Sequence, residues 1–279
     1  KPSIWGPISH HEKIFKDAIS FYGFKENLKD KILWSIKKYL WKFDVFHYLS
    51  KKYSHKILVS NSSVKMRLNL DIDDIVPFSS SAIEKLPNLG NKNLQSNNVN
   101  FLIVARAVPL KSIDIAINAF NEFKKINPNS DAKLNIVGGG KYLSKLKKLA
   151  SNLDSSSFIY FLDTVNYEEL DLLYRNASIF LCPSHEGGGL AVIEAMSYGL
   201  PVICFNNYGP GEATCNQSAI RVNYENYTNA VADFSNAMFM LTSNPQQLEL
   251  MSNAAIERVS NNFLWSTRAN VLKEIYNDL

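Results

Sequence analysis

Glu186 and Glu194 have seven residues between them, Gly187-Gly188-Gly189-Leu190-Ala191-Val192-Ile193. Carboxylates are good bidentate acceptors for vicinal hydroxyls, as on a ribose or hexose. Glycines at the start of a helix let a ligand approach the backbone, and free amides there favour an anion. If the helix begins near Gly189, Glu194 lies about 7 Å along it at roughly 1.5 Å per residue. Its side chain then leans back toward the amino terminus, so both carboxylates can face one ligand. Two cations add to this set. Arg106 closes the apolar segment Phe101–Ala105, and Lys111 follows five positions later. At a strand end they suit a pyrophosphate, although on their own an ordinary exposed Arg and Lys is the simpler reading.

These residues need elements to position them. Ile179–Cys182 ends in Pro183, and Val202–Phe205 follows Gly199-Leu200-Pro201. With the glycine loop and a helix near 189–198 between them, they predict one βαβ unit. From residue 100 the alternation is regular. Further strands are expected at Phe101–Ala105, Leu134–Val137, Phe158–Leu162 and Ala219–Val222, with helices over 112–127, 141–153 and 167–177. That pattern implies an α/β doubly wound parallel sheet, with ligands at the carboxyl ends of its strands. Gly138-Gly139-Gly140 follows the second strand, but no G-x-G-x-x-G follows the first, so a plain tight turn is expected there.

The first third is less regular. Residues 1–9 read as an extended piece broken by Gly6-Pro7, and residues 10–23 as helical. Residues 28–53 suggest one or two amphipathic helices, with Ile32, Ile36, Leu40 and Phe43 at helical spacing. An aromatic face of this kind is more often core than binding site. A strand at 56–60, a short helix near 63–68 and a strand at 75–78 follow. The Ser, Asn, Gly and Pro of 79–99 read as a linker. The expected division is 1–95, 96–263 and 264–279.

The chain has 279 residues, 46% of them hydrophobic and 20% charged, which suits a globular protein of one or two domains. No apolar run reaches the roughly 18 residues of a membrane span. Three cysteines make no disulfide framework, and a reducing cytoplasm is the simplest setting. The chain opens at Lys1 without a signal-peptide pattern, which reads as a truncation. Net charge is +4, yet residues 1–60 carry twelve Lys against five Asp or Glu, about +7 by count. A solvated face is the plain reading; a surface for anionic lipid headgroups or phosphate-bearing acceptors is the sharper one. No nucleic-acid module accompanies the charge. Asp71-Ile72-Asp73 spells D-x-D, a metal-site triplet, but short acidic triplets arise by chance. His10, His11, His47 and His55 are weak candidates for ligands or bases. His185 is expected to line the site beside Glu186.

The glutamate pair resembles the E-x7-E motif of the GT4 family of retaining glycosyltransferases, which adopt the GT-B fold. Other pieces agree in order: Ala105-Arg106 with Lys111, Leu134 to Gly140, Pro183-Ser184, Glu194-Ala195-Met196 through Val202, Gly209-Pro210-Gly211-Glu212, and Phe263-Leu264-Trp265 before the last helix. The resemblance covers about residues 100–279. Residues 1–80 are similar to only the last part of the family's amino-terminal, acceptor-side domain, including Trp5-Gly6-Pro7-Ile8. Ala105, Gly188 and Asp163 depart from the usual Gly, Phe and Gly.

The resemblance implies a GT-B fold with a Rossmann-like carboxy-terminal domain and an incomplete Rossmann-like amino-terminal one. It implies transfer of a sugar from a nucleotide diphosphate sugar to a saccharide or lipid-linked acceptor, with retention, in bacterial surface polysaccharide or O-antigen assembly. Arg106 and Lys111 would neutralise the leaving diphosphate, helped by amides near Gly188, Gly189 and Leu190. Glu194 would hold the ribose, Glu186 the transferred sugar, and the backbone around Val165 the base. No metal or other cofactor would be needed. The setting would be cytoplasmic, with possible peripheral contact at the inner face of the plasma membrane. The alternatives are an epimerase or phosphorylase of the same fold, and a non-catalytic nucleotide-sugar-binding unit.

Overall fold

The structure is a computed structural model describing residues 2–11, 13–70, 75–89 and 99–279. Asp71 and Asp73 lie outside the described residues. The elements run β1 (Ile4–Ile8), α1 (Lys16–Ser20), α2 (Phe24–Phe43), α3 (Val45–Tyr53), β2 (Lys56–Val59), α4 (Ser63–Leu68) and β3 (Ile75–Pro77). They continue with β4 (Asn100–Val104), α5 (Ile113–Ile126), β5 (Lys133–Val137), α6 (Leu143–Ser151), β6 (Ile159–Leu162), α7 (Tyr167–Asn176) and β7 (Ile179–Cys182). Last come α8 (Leu190–Ser197), β8 (Val202–Phe205), α9 (Pro210–Ala213), β9 (Ala219–Val222), α10 (Tyr227–Thr242), α11 (Pro245–Asn262) and α12 (Trp265–Asn277).

The carboxy-terminal sheet is wholly parallel, in the order β6-β5-β4-β7-β8-β9. Counting its strands from β4, this is 3-2-1-4-5-6, the order of dinucleotide-binding sheets, whose switch point falls between strands 1 and 4. Here those are β4 and β7, the strands that lead to Arg106 and Glu186. The sheet forms because its strands are short apolar runs: β7 and β8 are buried at every position. Phe101, Phe120 and Phe123 pack edge-on and stacked at 5.4–6.0 Å to anchor α5 on β4. Local chemistry sets the helix ends. Asn166 and Glu169 form a capping box at α7, and Asn244 before Pro245 starts α11.

A second parallel sheet, β1-β2-β3, sits at the other end of the chain. Two crossings join the units. Ile83 and Leu264 form a parallel bridge, with Ile83 N donating to Phe263 O at 2.9 Å and Trp265 N to Ile83 O at 3.0 Å. From there α12 runs back, and Ile275 packs with Leu58 and Phe78.

Three expectations need correction. Residues 10–23 are not one helix: α1 covers only Lys16–Ser20, and its cap Phe15 is extended. β1 runs through Gly6-Pro7 rather than breaking there, with its register against β2 shifting between Trp5 and Ile8. The aromatic faces of α2 and α3 are not core, for neither helix buries a residue. Phe24, Tyr39, Phe43, Val45, Phe46 and Tyr48 are all exposed.

Candidate active site

The loop after β4 carries Arg106 and enters a 3-10 turn at Pro109–Lys111. The loop after β7 carries Pro183 to Gly189 and ends at α8, whose cap is Gly189 with no side chain bonded to it. The two loops are stitched together: His185 N donates to Leu110 O at 2.9 Å and Ser184 Oγ to the same oxygen at 3.4 Å. Lys111 Nζ meets Glu186 Oε2 at 2.5 Å, with both side chains mostly shielded from solvent. Lys111, Glu186, Ser184 and Ala191 line one small pocket at the switch point. The expected cation and carboxylate are therefore in direct contact, beside the free amides that open α8.

Glu194, on the first turns of α8, is half-buried. Burial raises its pKa, and a hydrogen bond from Tyr174 OH to Oε2 at 3.1 Å opposes that rise. Tyr174 stacks on Tyr198 at 4.9 Å, and Tyr198 OH donates to Asp171 at 2.7 Å. Arg175 clamps Asp171 through Nε at 2.5 Å and Nη2 at 3.1 Å, holding its carboxyl below the usual range. This relay was invisible in the sequence, since its members come from α7 and α8.

Close packing fixes the glycine run. A Cβ on Gly187 would stand 1.7 Å from His10 O, and one on Gly209 would stand 1.9 Å from Glu186 O. Gly187 O accepts from Asn61 Nδ2 at 2.7 Å and Ser9 Oγ at 3.3 Å. Asn61, buried, also donates to His10 O at 2.8 Å. Sequence reading missed Asn61, although it sits just past β2, at a strand end. A cleft of about 430 Å³ separates the Gly187–Gly189 run from the ends of β2 and β3.

Val165 is partly buried in the loop between β6 and α7, packed against the core cluster that holds Tyr174 and Val192. Asp163, next in that loop, is exposed and pairs with Lys147 at 3.3 Å. Arg106 lies between Ala105 and the buried Ala107, and is exposed. Gly138 to Gly140 is more than a tight turn: Ala107 N donates to Gly139 O at 2.9 Å and Tyr142 N to Ala107 O at 3.0 Å, so it braces the Arg106 loop. His185 does not line the site. It is buried, stacked on Phe205 at 5.0 Å, with Phe15 and Tyr224 against it, and burial lowers its pKa to about 4. Its side chain turns to the apolar side because the neighbouring backbone is pinned to Leu110.

The family model for glycosyl transferases group 1 matches residues 88–258. The chain belongs to this family. Among curated relatives, the chain is 29% identical over 184 residues to the GDP-mannose-dependent alpha-(1-6)-phosphatidylinositol monomannoside mannosyltransferase of Mycolicibacterium smegmatis. That match covers 62% of this chain and 46% of the relative. It is 32% identical over 180 residues to the D-inositol 3-phosphate glycosyltransferase of Rhodococcus jostii, covering 62% and 39%. The chain thus spans less than half the length of these relatives. Among solved structures, Anabaena Alr3699/HepE in complex with UDP superposes with a TM-score of 0.71 at 14% identity, over 100% of this chain and 73% of that one. TarM superposes at 0.70 and 20% identity, over 97% and 48%. These neighbours share the GT-B fold.

Proposed function

We propose that this group 1 glycosyl transferase moves a sugar from a nucleotide diphosphate sugar to a saccharide or lipid-linked acceptor with retention. The observation that carries the reading is the Lys111–Glu186 contact at the sheet switch point, beside the uncapped start of α8. Lys111 would exchange Glu186 for the donor diphosphate, and Arg106 would add a second cation. Charge developing on the leaving diphosphate is then met by preorganised cations and amides, commonly the largest catalytic contribution. The bond from the anomeric carbon to the diphosphate breaks while the acceptor oxygen attacks the same face. Its proton passes to the departing phosphate oxygen. Glu186, released from Lys111, steadies positive charge on the sugar. Glu194 takes the ribose hydroxyls through the oxygen that Tyr174 leaves open, and the backbone at Val165 meets the base. No metal takes part in this scheme.

Residues 1–95 serve the acceptor, 96–263 the donor, and 264–279 ties them together. The structure of Alr3699/HepE, which contains UDP, supports a nucleotide donor. The names of the two relatives above support an inositol-type or lipid-linked acceptor. No helix among the described residues is long and apolar enough to cross a membrane. Exposed aromatics on α2 and α3, interleaved with Lys25, Lys29, Lys38 and Lys42, support peripheral contact at the cytoplasmic face. Bacterial surface polysaccharide assembly fits that setting.

The test is calorimetric titration of UDP and GDP, followed by transfer from the matching radiolabelled donor to a lipid extract. Saturable nucleotide binding and label on an acceptor, rather than free epimer or sugar phosphate, are expected. Absence of any nucleotide binding would overturn the reading.

A further inference from the structure

The cleft of about 430 Å³ opens between the ends of β2 and β3 on one wall and the Gly187–Gly189 and Gly209–Ala213 segments on the other. Among the described residues, four ionisable side chains line it besides Tyr208: Lys65, Glu212, Arg258 and Arg268. Two of these are engaged. Glu212 accepts from Ser62 N at 3.1 and 3.2 Å and from the Ser62 hydroxyl. Arg258 donates through Nε to Ala213 O at 2.6 Å and through Nη2 to Glu212 O at 2.8 Å. Their charges are opposite and offset one another.

Lys65 and Arg268 are different. Neither side chain has an acidic partner among the described residues. The Arg268 guanidinium lies 5.5 Å from the ring of Phe78 and 5.2 Å from that of Phe263, and its Nε is buried with no acceptor. A buried donor without a partner is costly. The position is well fixed, because the Ile83–Leu264 bridge, four residues before Arg268, anchors the start of α12. Ser79, Ser80 and Ser81 line the same cleft.

We propose that Lys65 and Arg268 bind a phosphate group carried by the acceptor; the word acceptor rests on the glycosyl-transfer reading above. Two cations without an acidic partner among the described residues match a phosphate, which carries about −1.5 to −2 at pH 7, better than a single carboxylate charge. The planar guanidinium fork, which lies near the Phe78 and Phe263 rings, suits two phosphate oxygens at once. Neither Arg106 nor Lys111 lines this cleft. The molecule would therefore hold two anions, the donor diphosphate at the switch point and the acceptor phosphate across the glycine run.

The probe is sn-glycerol 3-phosphate, titrated calorimetrically into the wild-type chain, Arg268→Gln, Arg268→Lys, Lys65→Gln and Lys111→Ala, with thermal melts as the check on folding. Saturable binding to wild type is expected. Arg268→Gln should weaken it about tenfold, the scale of one lost charged hydrogen bond. Arg268→Lys and Lys65→Gln should weaken it less, and Lys111→Ala not at all. Nucleoside diphosphate affinity should be unchanged in Arg268→Gln. Dihexanoyl phosphatidic acid then separates the sources: competition shows that the site takes the group on a lipid, and none shows that it takes the soluble ester alone. The proposal falls if wild type does not bind the probe, if both Arg268→Gln and Lys65→Gln bind it normally, or if only Lys111→Ala loses it. Should UDP and GDP fail to bind while the probe still depends on Arg268, the donor reading fails and the phosphate site stands. Lys65→Gln keeps the test open if the Arg268 variants do not fold.

Discussion

The phenol of Tyr174 donates to Glu194 Oε2 at 3.1 Å, so a carboxylate on α8 is held from behind by a residue of α7. That bond orients one of the two carboxylate oxygens. Tyr174→Phe should keep the stack on Tyr198 and lose only the hydrogen bond. Nucleoside diphosphate affinity should fall about fivefold, for roughly 1 kcal/mol. Glu194→Ala should abolish measurable binding. Calorimetry of both variants checks the pair, and unchanged affinity in Glu194→Ala would remove Glu194 from the site.

The Lys111–Glu186 pair gives a prediction with opposite signs. Donor diphosphate must displace Glu186 from Lys111, so the ion pair opposes nucleotide binding by about 1 kcal/mol, given its partial exposure. Glu186→Gln should therefore bind nucleoside diphosphate about fivefold tighter while sugar transfer falls steeply. Lys111→Ala should lose both, because it removes the cation and strands Glu186. Weaker nucleotide binding in Glu186→Gln would show that the pair stays intact in the complex.

Much of this site was legible because its parts sit at strand ends. β4, β5 and β7 to β9 read as apolar runs between amphipathic helices, and that alternation alone implied the parallel sheet. Glu186 and Glu194 were legible through spacing. The partners of these residues were not. Tyr174 lies 20 positions from Glu194, Asn61 lies 126 from Gly187, and Arg268 faces Phe78 across the chain. Only the sheet topology brings such pairs together, and no local period encodes it. The faces of α2 and α3 failed for a related reason: an apolar stripe says that burial is favourable, not that a surface is present to receive it. His185 failed because adjacency to Glu186 says nothing about direction, and its backbone bond to Leu110 sets the ring among Phe15, Phe205 and Tyr224.

His185 also sets a pH dependence. Burial, opposed weakly by Asp17, lowers its pKa from 6.5 to about 4. A base with a depressed folded pKa stabilises the fold above 6.5, and that stability is lost as pH falls toward 4. The loss amounts to on the order of 3 kcal/mol at pH 4. His185→Phe keeps the aromatic stack and cannot titrate. The melting temperature of wild type should fall below that of His185→Phe between pH 6.5 and 4, with the two curves parallel above pH 7. Parallel curves throughout would mean that folding leaves the titration of His185 unshifted.

Asp114 should act in the same window with the reverse sign. Its side chain is fully buried on α5, accepts from Tyr22 OH at 2.7 Å through Oδ1, and has no partner at Oδ2. Burial raises its pKa to about 6, against the hydrogen bond from Tyr22, which lowers it. A carboxyl with a raised folded pKa favours the fold while protonated, so its contribution declines as pH rises from about 4 through 6. Asp114→Asn keeps an acceptor for Tyr22 and stays neutral, so relative to wild type it should gain stability with rising pH and level off above pH 7. The gain read from melts at pH 5 and pH 7 should not exceed about 3 kcal/mol. Because Tyr22 belongs to the loop after α1, the same titration should loosen that segment on α5. Hydrogen exchange at Ala18 to Tyr22 should then quicken in wild type above pH 6 and stay slow in Asp114→Asn. Equal exchange in both would detach the carboxyl from this contact.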